Sequence, residues 1–438
     1  MIRPLIFLLA VLWSAAIAWP AHAVTVEKVT SPGGVTAWLV QDHSNPLLAM
    51  EVAFAGGSAV ETKSGLANMM ASLLDEGAGS LGSQQFQGRL EDLSIELGLR
   101  AGKDEVVGSL KTLAENHEAA FDLFRLALTQ PRFDKEAVGR IRAQILAGLS
   151  REQQNPNAVA ARAWNRAMFG EHPYGRATSG EPDSVKSITA ADLRDHARTW
   201  ISRQDLLIGV VGDITPERLA PLLDRAFGAL PATHPPVRIA EATLASGRTL
   251  VVARDIPQSV ALFGVPGLHR NDPDWFPAFV MNYILGGGGF SSRLTEEVRE
   301  KRGLAYSVYT HLVPLDHAAL IAGGVATRNA RVGQSLDLIR QELRRLAADG
   351  PTGQELADAK TYLTGSFPLS LDSIGAIASL LVSMQSDHLP MDYLDHRSDL
   401  INAVTRDQVT AVARRLLDPD RLVVVVVGQP EGVATRTP

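Results

Sequence analysis

The apolar heptapeptide Leu206–Gly212, Leu-Leu-Ile-Gly-Val-Val-Gly, indicates how this chain is built. Residues 422–428, Leu-Val-Val-Val-Val-Val-Gly, repeat its pattern 216 positions later without a gap. An apolar stretch of this length that is rich in β-branched residues predicts a strand buried on both faces. Its recurrence near the end of the chain predicts that one folding unit occurs twice.

The repetition extends upstream of both strands. Residues 188–198 align with residues 404–414 at the same offset, and each segment has the pattern of an amphipathic helix. Farther upstream, residues 144–148 resemble residues 361–365. The other predicted elements are helices Glu118–Leu128 and Val332–Leu346 and strands Val35–Val40, Leu47–Ala53, Leu250–Ala253, Val260–Val265 and Leu320–Ala326.

The order of these elements predicts an α+β fold made of two homologous tandem domains. In each half we expect a largely antiparallel sheet with helices packed on one face. Residues 24–228 would form the N-terminal domain and residues 249–438 the C-terminal domain. Pro235-Pro236 lies between them, and two successive prolines cannot continue a helix, so we place a linker at 229–248.

Residues 1–23 have the pattern of a secretory signal peptide. Arg3 supplies a positive charge, residues 5–18 form a short apolar run, and Ala21-His22-Ala23 fits a cleavage site. We therefore expect an exported, periplasmic protein whose signal peptide is cleaved near Ala23. No later stretch is long and apolar enough for a membrane span, so we expect none after cleavage.

Composition and charge exclude several classes of function. The 438-residue chain contains no cysteine, so an exported form would rely on its cores and not on disulfides. A formal net charge of −6 argues against nucleic-acid binding. The glycine run Gly286–Gly289 is not followed by the Gly-Lys-Ser/Thr of a P-loop, nor does it fit a dinucleotide fingerprint.

Four segments in fixed order carry a family resemblance: residues 54–61 (Phe-Ala-Gly-Gly-Ser-Ala-Val-Glu), 169–175 (Phe-Gly-Glu-His-Pro-Tyr-Gly), 286–294 (Gly-Gly-Gly-Gly-Phe-Ser-Ser-Arg-Leu) and 297–308 (Glu-Val-Arg-Glu-Lys-Arg-Gly-Leu-Ala-Tyr-Ser-Val). Together they resemble the processing-peptidase branch of the insulinase (pitrilysin) family over nearly all of the chain. The resemblance implies two homologous halves, or two subunits, that close around an extended peptide. One side of that chamber would hold zinc through His-x-x-Glu-His.

The zinc site that the resemblance implies is absent from this chain. The amphipathic helix predicted over residues 65–77 carries Asn68, Ala71 and Ser72 where the family has its two histidines and its glutamate. The family's third ligand position falls at Gly148 or the alanine before it. These side chains supply neither a strong zinc ligand nor a base, and none of the eleven histidines forms an i,i+4 pair. We therefore predict that this chain binds no metal.

The resemblance also implies a role for Arg299 and Tyr306. In that family an arginine and a tyrosine in the half opposite the zinc contact the scissile peptide bond. Arg299 and Tyr306 match these two residues. A guanidinium and a phenol hydroxyl can stabilise negative charge on a carbonyl oxygen in a closed chamber. The spacing alone is more typical of a solvated helix face followed by an ordinary strand. By the same resemblance, Gly286–Gly289 and Phe290 would contact substrate, whereas the glycines alone indicate only a tight connection.

We expect a non-catalytic subunit, inactive alone, of a heterodimeric periplasmic zinc peptidase. Its partner would be a homologue that carries His-x-x-Glu-His and the zinc, and its substrate a peptide or unfolded polypeptide. Two alternatives remain open: a structural or peptide-binding scaffold of the same fold, and an enzyme active alone through another site. Arg299 and Tyr306 favour the first hypothesis, because a pure scaffold needs neither.

Overall fold

The computed structural model describes residues 25–435 and contains two β-sheets. The predicted signal peptide, residues 1–23, lies outside the described residues. The strands, in chain order, are β1 (Glu27–Thr30), β2 (Thr36–Gln41), β3 (Leu47–Ala55), β4 (Glu96–Ala101), β5 (Glu105–Leu113), β6 (Leu207–Gly212), β7 (Thr249–Ala253), β8 (Gln258–Pro266), β9 (Ala305–Leu315), β10 (Ala318–Arg328) and β11 (Val423–Gly428).

The helices fill the intervals between these strands. The α-helices within the described residues are α1 (Leu66–Ala71), α2 (Ser83–Asp92), α3 (His117–Thr129), α4 (Lys135–Gln154), α5 (Pro156–Phe169), α6 (Pro182–Ser187), α7 (Ala190–Trp200), α8 (Pro216–Phe227), α9 (Trp275–Asn282), α10 (Val332–Asp349), α11 (Gly353–Gly365), α12 (Ile374–Ser386), α13 (Tyr393–Asn402) and α14 (Arg406–Leu416). Two π-helical segments, Tyr283–Gly287 and Thr295–Glu300, lie between α9 and β9.

The two sheets follow one plan. Their strand orders are β1-β2-β6-β3-β5-β4 and β7-β11-β8-β10-β9. In each sheet the last strand of its half lies between two earlier strands, parallel to one and antiparallel to the other. Gly212 and Gly428 end these strands with φ angles of 140° and 143°. The predicted α+β fold with two homologous, largely antiparallel halves is confirmed.

The helices that precede these strands also begin in the same way. Thr189 accepts a hydrogen bond from the backbone N–H of Asp192 at 3.2 Å, and Thr405 accepts one from Gln408 at 3.3 Å. In both cases the side chain of that third residue accepts a hydrogen bond from the threonine N–H, which completes a capping box. The repeat in sequence thus encodes the same helix start in each half.

The helix predicted over residues 65–77 is shorter than its apolar pattern suggests. Helix α1 ends at Ala71, and the chain continues through turns to Gly77, whose φ of 107° is left-handed. The apolar side chains of Leu73 and Leu74 are nevertheless buried. Burial therefore extends along this segment although regular helix does not. The strands β1, β4 and β5 were not identified from the sequence, because their apolar pattern is mixed with charged residues.

Each sheet buries one face under helices of its own half. In the first half this core includes the rings of Phe54, Phe121 and Phe124 together with Phe227 of α8. The corresponding core of the second half is formed mainly by aliphatic side chains of β8, β10 and β11 and of the helices α10 and α14.

The other face of each sheet is covered by a helix from the opposite half. Helix α5 packs on β8 and β11, and the indole Nε1 of Trp164 donates to the Val423 carbonyl at 3.4 Å. Helix α12 packs on β3 and β6, where Gln385 Nε2 donates to the Ile208 carbonyl at 3.0 Å. The prediction of helices on one face holds for the helices of each sheet's own half, but the second layer from the opposite half was not predicted. An amphipathic pattern shows that one side of a helix is buried. It does not show against which sheet that side packs.

The segment 229–248 contains neither helix nor strand, but it is not detached from the rest of the chain. The Ala242 N–H donates to the His317 carbonyl at 2.8 Å, and the Ala245 N–H donates to the Met168 carbonyl at 2.9 Å. These contacts anchor the segment to both halves. The domain boundaries on either side of it stay a prediction.

Within residues 25–435, no single helix has the length and apolar character of a membrane span. One pair, Gly353–Leu371 with Ile374–Ser386, meets the length and composition requirement together but is bent by 118°.

Candidate functional site

The three positions predicted for the zinc motif lie within and directly after α1. Asn68 and Ser72 are half-buried, and Ala71 is buried. The Ser72 hydroxyl donates to the Asn68 carbonyl at 2.9 Å, so it completes the end of the helix that bears it. Among the described residues, no three His, Cys, Asp or Glu side chains are grouped so that they could hold a metal ion.

The fourth position, Gly148, lies within α4 and faces open space. No atom would come within 4 Å of a Cβ added there, and the preceding Ala147 is exposed. Neither residue offers an atom that could ligate a metal. The side chains at the four predicted positions therefore provide neither a zinc ligand nor a general base.

Glu61 holds the start of α1 in place. Its two carboxylate oxygens accept hydrogen bonds from the Gly65 N–H at 2.9 Å and the Ala67 N–H at 3.0 Å. This satisfies backbone donors that a helix N-terminus leaves open. Burial raises the pKa of Glu61 to about 7, although the two N–H donors act in the opposite direction. Glu61 belongs to the family-like segment 54–61, but the sequence alone does not show that its side chain caps the start of α1.

The glycine run lies where α9 continues into a π-helical turn. A Cβ on Gly286 would stand 2.6 Å from Thr310 Oγ1, and one on Gly288 would stand 2.8 Å from the Tyr283 carbonyl oxygen. Gly289 has a left-handed φ of 56°. Close packing thus accounts for the first glycines and backbone conformation for the last, which agrees with a tight connection. Whether the run also contacts a peptide stays a prediction.

Phe290, Arg299 and Tyr306 meet at the surface beside this connection. The Arg299 guanidinium carbon lies 4.5 Å from the centre of the Phe290 ring and 4.9 Å from that of Tyr306. These are distances at which a cation is attracted to an aromatic face. Three of the residues singled out in the sequence therefore form one cluster, which we call the Arg299 cluster. Its aromatic members are strongly exposed: Phe290 is 68% and Tyr306 82% accessible to solvent.

The backbone around the Arg299 cluster explains how its members converge. Arg299 is the penultimate residue of the π-helical segment Thr295–Glu300, and Gly303, with a left-handed φ of 58°, turns the chain into β9. Strand β9 is the edge of the second sheet, and the pairing of β9 with β10 is irregular at Tyr306, between the paired residues Ala305 and Ser307. The Arg299 guanidinium also lies 3.3 Å from the Glu300 carboxylate.

The charged segment that contains Arg299 is not simply a solvated helix face. Glu297 is only 6% accessible and pairs with Lys301 at 2.8 Å and with Arg302 at 2.5 Å. These cations lower the pKa of Glu297 through hydrogen bonds, Lys301 first. The buried carboxylate fixes the turn that leads from Arg299 to β9. Charge content alone could not distinguish this buried ion-pair network from an exposed face.

Tyr174, within the family-like segment 169–175, joins the two halves. It is fully buried, its hydroxyl donates to the Asp104 carboxylate, and it accepts a hydrogen bond from the His317 N–H at 3.1 Å. The residue therefore links the β4–β5 turn to the β9–β10 turn.

Comparison with known proteins identifies the family of both halves. Residues 36–181 match the family described as "Insulinase (Peptidase family M16)", and residues 187–363 match "Peptidase M16 inactive domain". The two matches lie side by side and cover most of the chain.

Full-length relatives carry contrasting descriptions. The chain is 27% identical over 373 residues to "Non-peptidase homolog YmxG" of Helicobacter pylori, which covers 84% of this chain and 86% of that protein. It is 29% identical over 402 residues to an "uncharacterized zinc protease" of Streptomyces coelicolor, which covers 90% of this chain and 87% of that protein.

Solved structures share the whole fold. A crystal structure described as a peptidase M16 inactive domain from Pseudomonas fluorescens superposes with a TM-score of 0.87 at 29% identity, and covers 94% of this chain and 99% of that one. A protease from Helicobacter pylori superposes with a TM-score of 0.84 at 19% identity, and covers 92% of this chain and 100% of that one. The second likeness concerns the fold alone.

Proposed function

The chain belongs to the insulinase (M16) peptidase family, and we propose that it is a non-catalytic subunit that completes the active site of a separate, zinc-bearing family member. The observation that carries this proposal is the Arg299 cluster. It lies exposed on a chain whose own α1 carries Asn68, Ala71 and Ser72 in place of zinc ligands and base.

The exposure of the Arg299 cluster favours a partner or substrate at this surface. Folding places large aromatic side chains inside a protein, so two adjacent rings at 68% and 82% exposure are unusual in a monomer. Arginine and tyrosine are also enriched among residues that dominate binding energies. An incoming chain would cover rings that water now surrounds.

The geometry of the Arg299 cluster suits the stabilisation of negative charge. The guanidinium lies against both rings, and its ion pair with Glu300 uses Nε, so its Nη groups remain able to donate. The Tyr306 hydroxyl is a second donor on the same surface. In a closed chamber both could donate to the scissile carbonyl oxygen as negative charge develops there. Zinc in the partner would supply the activated water.

The same proposal gives the glycine run a second role. Gly286 is buried, but Gly287 and Gly289 expose backbone without side chains next to the Arg299 cluster, and Phe290 follows directly. A peptide could approach this backbone closely. We propose that the run and Phe290 contact the substrate, and that the complex works in the periplasm, as the N-terminal pattern of residues 1–23 suggests.

An Arg299→Ala variant tests the role in trans. The chain would be produced together with a His-x-x-Glu-His family member from the same organism, and peptide turnover by the complex would be measured. We expect turnover to fall by about one to three orders of magnitude while the two chains still co-purify. Arg328→Ala is the matched control, because Arg328 is an exposed arginine at the end of β10.

Two outcomes would contradict the proposal. Equal turnover by the Arg299→Ala and Arg328→Ala complexes would remove Arg299 from catalysis. Failure of any zinc-bearing homologue to associate would favour the alternative, a structural or peptide-binding scaffold without peptidase activity.

A further inference from the structure

A small pocket in the second half is surrounded by arginine and aromatic side chains. It has a volume of about 180 Å³ and lies between α9, α12, α13 and the turn Phe367–Leu371. It does not contain any member of the Arg299 cluster. Its walls are mostly apolar, and two guanidinium groups, those of Arg270 and Arg397, border it.

Arg270 is the better satisfied of the two arginines. Its guanidinium lies over the Trp275 ring at 4.6 Å, and its Nε is 3.3 Å from the Asp387 carboxylate. Its Nη2 donates to the Tyr393 hydroxyl at 3.3 Å. Asp387 thus provides one negative charge for the pocket. The Arg270 side chain is 13% accessible and that of Asp387 33%, so the guanidinium is the more withdrawn partner of this pair.

Arg397 has no comparable counter-charge. It is 8% accessible, it stacks on the Phe367 ring at 4.1 Å, and its Nη1 donates to the Leu363 carbonyl at 3.0 Å. Within residues 25–435 it forms no ion pair with a carboxylate. A ring face and a carbonyl each carry only partial negative charge. A cation withdrawn from water without a counter-ion is costly, and a bound anion would relieve that cost.

We propose that this pocket binds a carboxylate that is attached to an apolar group of about the size of a phenyl ring. Two arginines border the pocket and only Arg270 is paired with a carboxylate, so one further negative charge would balance Arg397. Guanidinium groups bind carboxylates through paired hydrogen bonds. A cavity of about 150 Å³ accepts a benzene ring, so a pocket of about 180 Å³ suits a ring with a short acid.

The position of the pocket links its occupancy to the connection between the halves. Ser383, Met384 and Asp387, which border it, lie on or directly after α12, the helix that covers the first sheet. A ligand that bridges α12 and α13 would hold this helix in place. Binding should therefore raise the thermal stability of the whole chain.

The proposal is tested by titrating the full chain with phenylacetate and following its melting temperature and the heat of binding. Phenylacetamide, which has the same shape but no charge, is the ligand control. We expect a saturable rise in melting temperature with the acid and none with the amide.

Variants of Arg397 test the same pocket. Arg397→Leu should weaken acid binding by about 10–100-fold, and Arg397→Lys should restore part of it. Arg421→Leu, at an exposed arginine, should leave acid binding unchanged.

A second comparison distinguishes the sources of such a carboxylate. If the pocket binds the C-termini of peptides, a peptide that ends in phenylalanine with a free carboxyl group would compete with phenylacetate. The amidated form of the same peptide would not compete. If only the small acid binds, the ligand is a free aromatic acid, and the pocket chemistry stands. The proposal is overturned if no acid binds saturably up to about 10 mM, if the amide binds as well as the acid, or if folded Arg397→Leu binds as before.

Discussion

At the residue scale, Asn68, Ala71 and Ser72 occupy the positions predicted for the zinc motif. Ala71 fills the core and Ser72 bonds back to the Asn68 carbonyl, so these side chains serve the helix that carries them. These positions carry no zinc ligand or base, while Tyr306 in the second half is exposed and lies against Arg299. The division of labour between subunits that we propose follows from this asymmetry.

Glu61 predicts a pH dependence of stability. Its pKa is about 7 in the folded chain and 4.5 ordinarily, so the folded state holds a proton that the unfolded state lacks between these values. The free energy of unfolding should therefore rise as pH falls from about 7 to about 4.5, by about 3 kcal/mol from this group. Glu61→Gln should remove that part of the slope, measured by urea unfolding at several pH values.

The slope, and not the absolute stability, is the decisive quantity. Glutamine keeps one acceptor oxygen and replaces the other with an NH2 group, so Glu61→Gln should lower stability most near pH 4.5, and this deficit should shrink as the pH rises to 8. An unchanged difference between wild type and variant from pH 4.5 to 8 would show that Glu61 does not titrate in this range.

Sequence reasoning reached some of these residues and missed others. The convergence of Arg299 and Tyr306 could be predicted because a seven-residue spacing across a helix end and a turn is local and matches a family pattern. The stacking of Phe290 on Arg299 depends on a π-helical turn, which no sequence pattern predicted. Arg270 and Arg397 lie on separate elements far apart in sequence, and nothing in either neighbourhood indicates a shared pocket.

At the scale of elements, β6 and β11 were the most predictable features. Both are buried on two faces, so their apolar character is continuous and their repeat is visible. The exchange of α5 and α12 between the halves was not predictable. The sequence of each helix shows that one of its faces is buried. Tertiary packing decides which sheet that face contacts.

The contact of α12 with the first sheet gives a prediction at Gly209. A Cβ there would stand 2.5 Å from the Ala378 carbonyl oxygen and 2.8 Å from the Leu381 Cβ. Gly209→Ala should therefore push α12 away from β6 and lower the free energy of unfolding by about 1–3 kcal/mol. Denaturant unfolding followed by circular dichroism measures this loss.

Gly88→Ala is the matched control. Gly88 lies within α2, where an added Cβ would have no atom within 4 Å. Alanine favours the helix there, so this variant should gain about 0.5–1 kcal/mol. Equal stability of the two variants would show that α12 does not pack as closely on β6 as the structure has it.

At the scale of the whole molecule, the exchanged helices join the two halves into one unit. Removal of either half would expose a sheet face that the other half now covers. Although the chain contains two sheets, we expect a single unfolding transition. Fluorescence and circular dichroism should give the same midpoint, and Gly209→Ala should shift both together. Two separated transitions would contradict this tight connection.

The central claim is that this chain completes the active site of a zinc-bearing homologue. The most direct test is to purify the tagged chain from its own cells under mild conditions and to identify by mass what accompanies it in equal amount. The account predicts a homologue with His-x-x-Glu-His at a one-to-one ratio, and peptidase activity that depends on both chains. Recovery of the chain alone, or with an unrelated assembly and no peptidase activity, would contradict it.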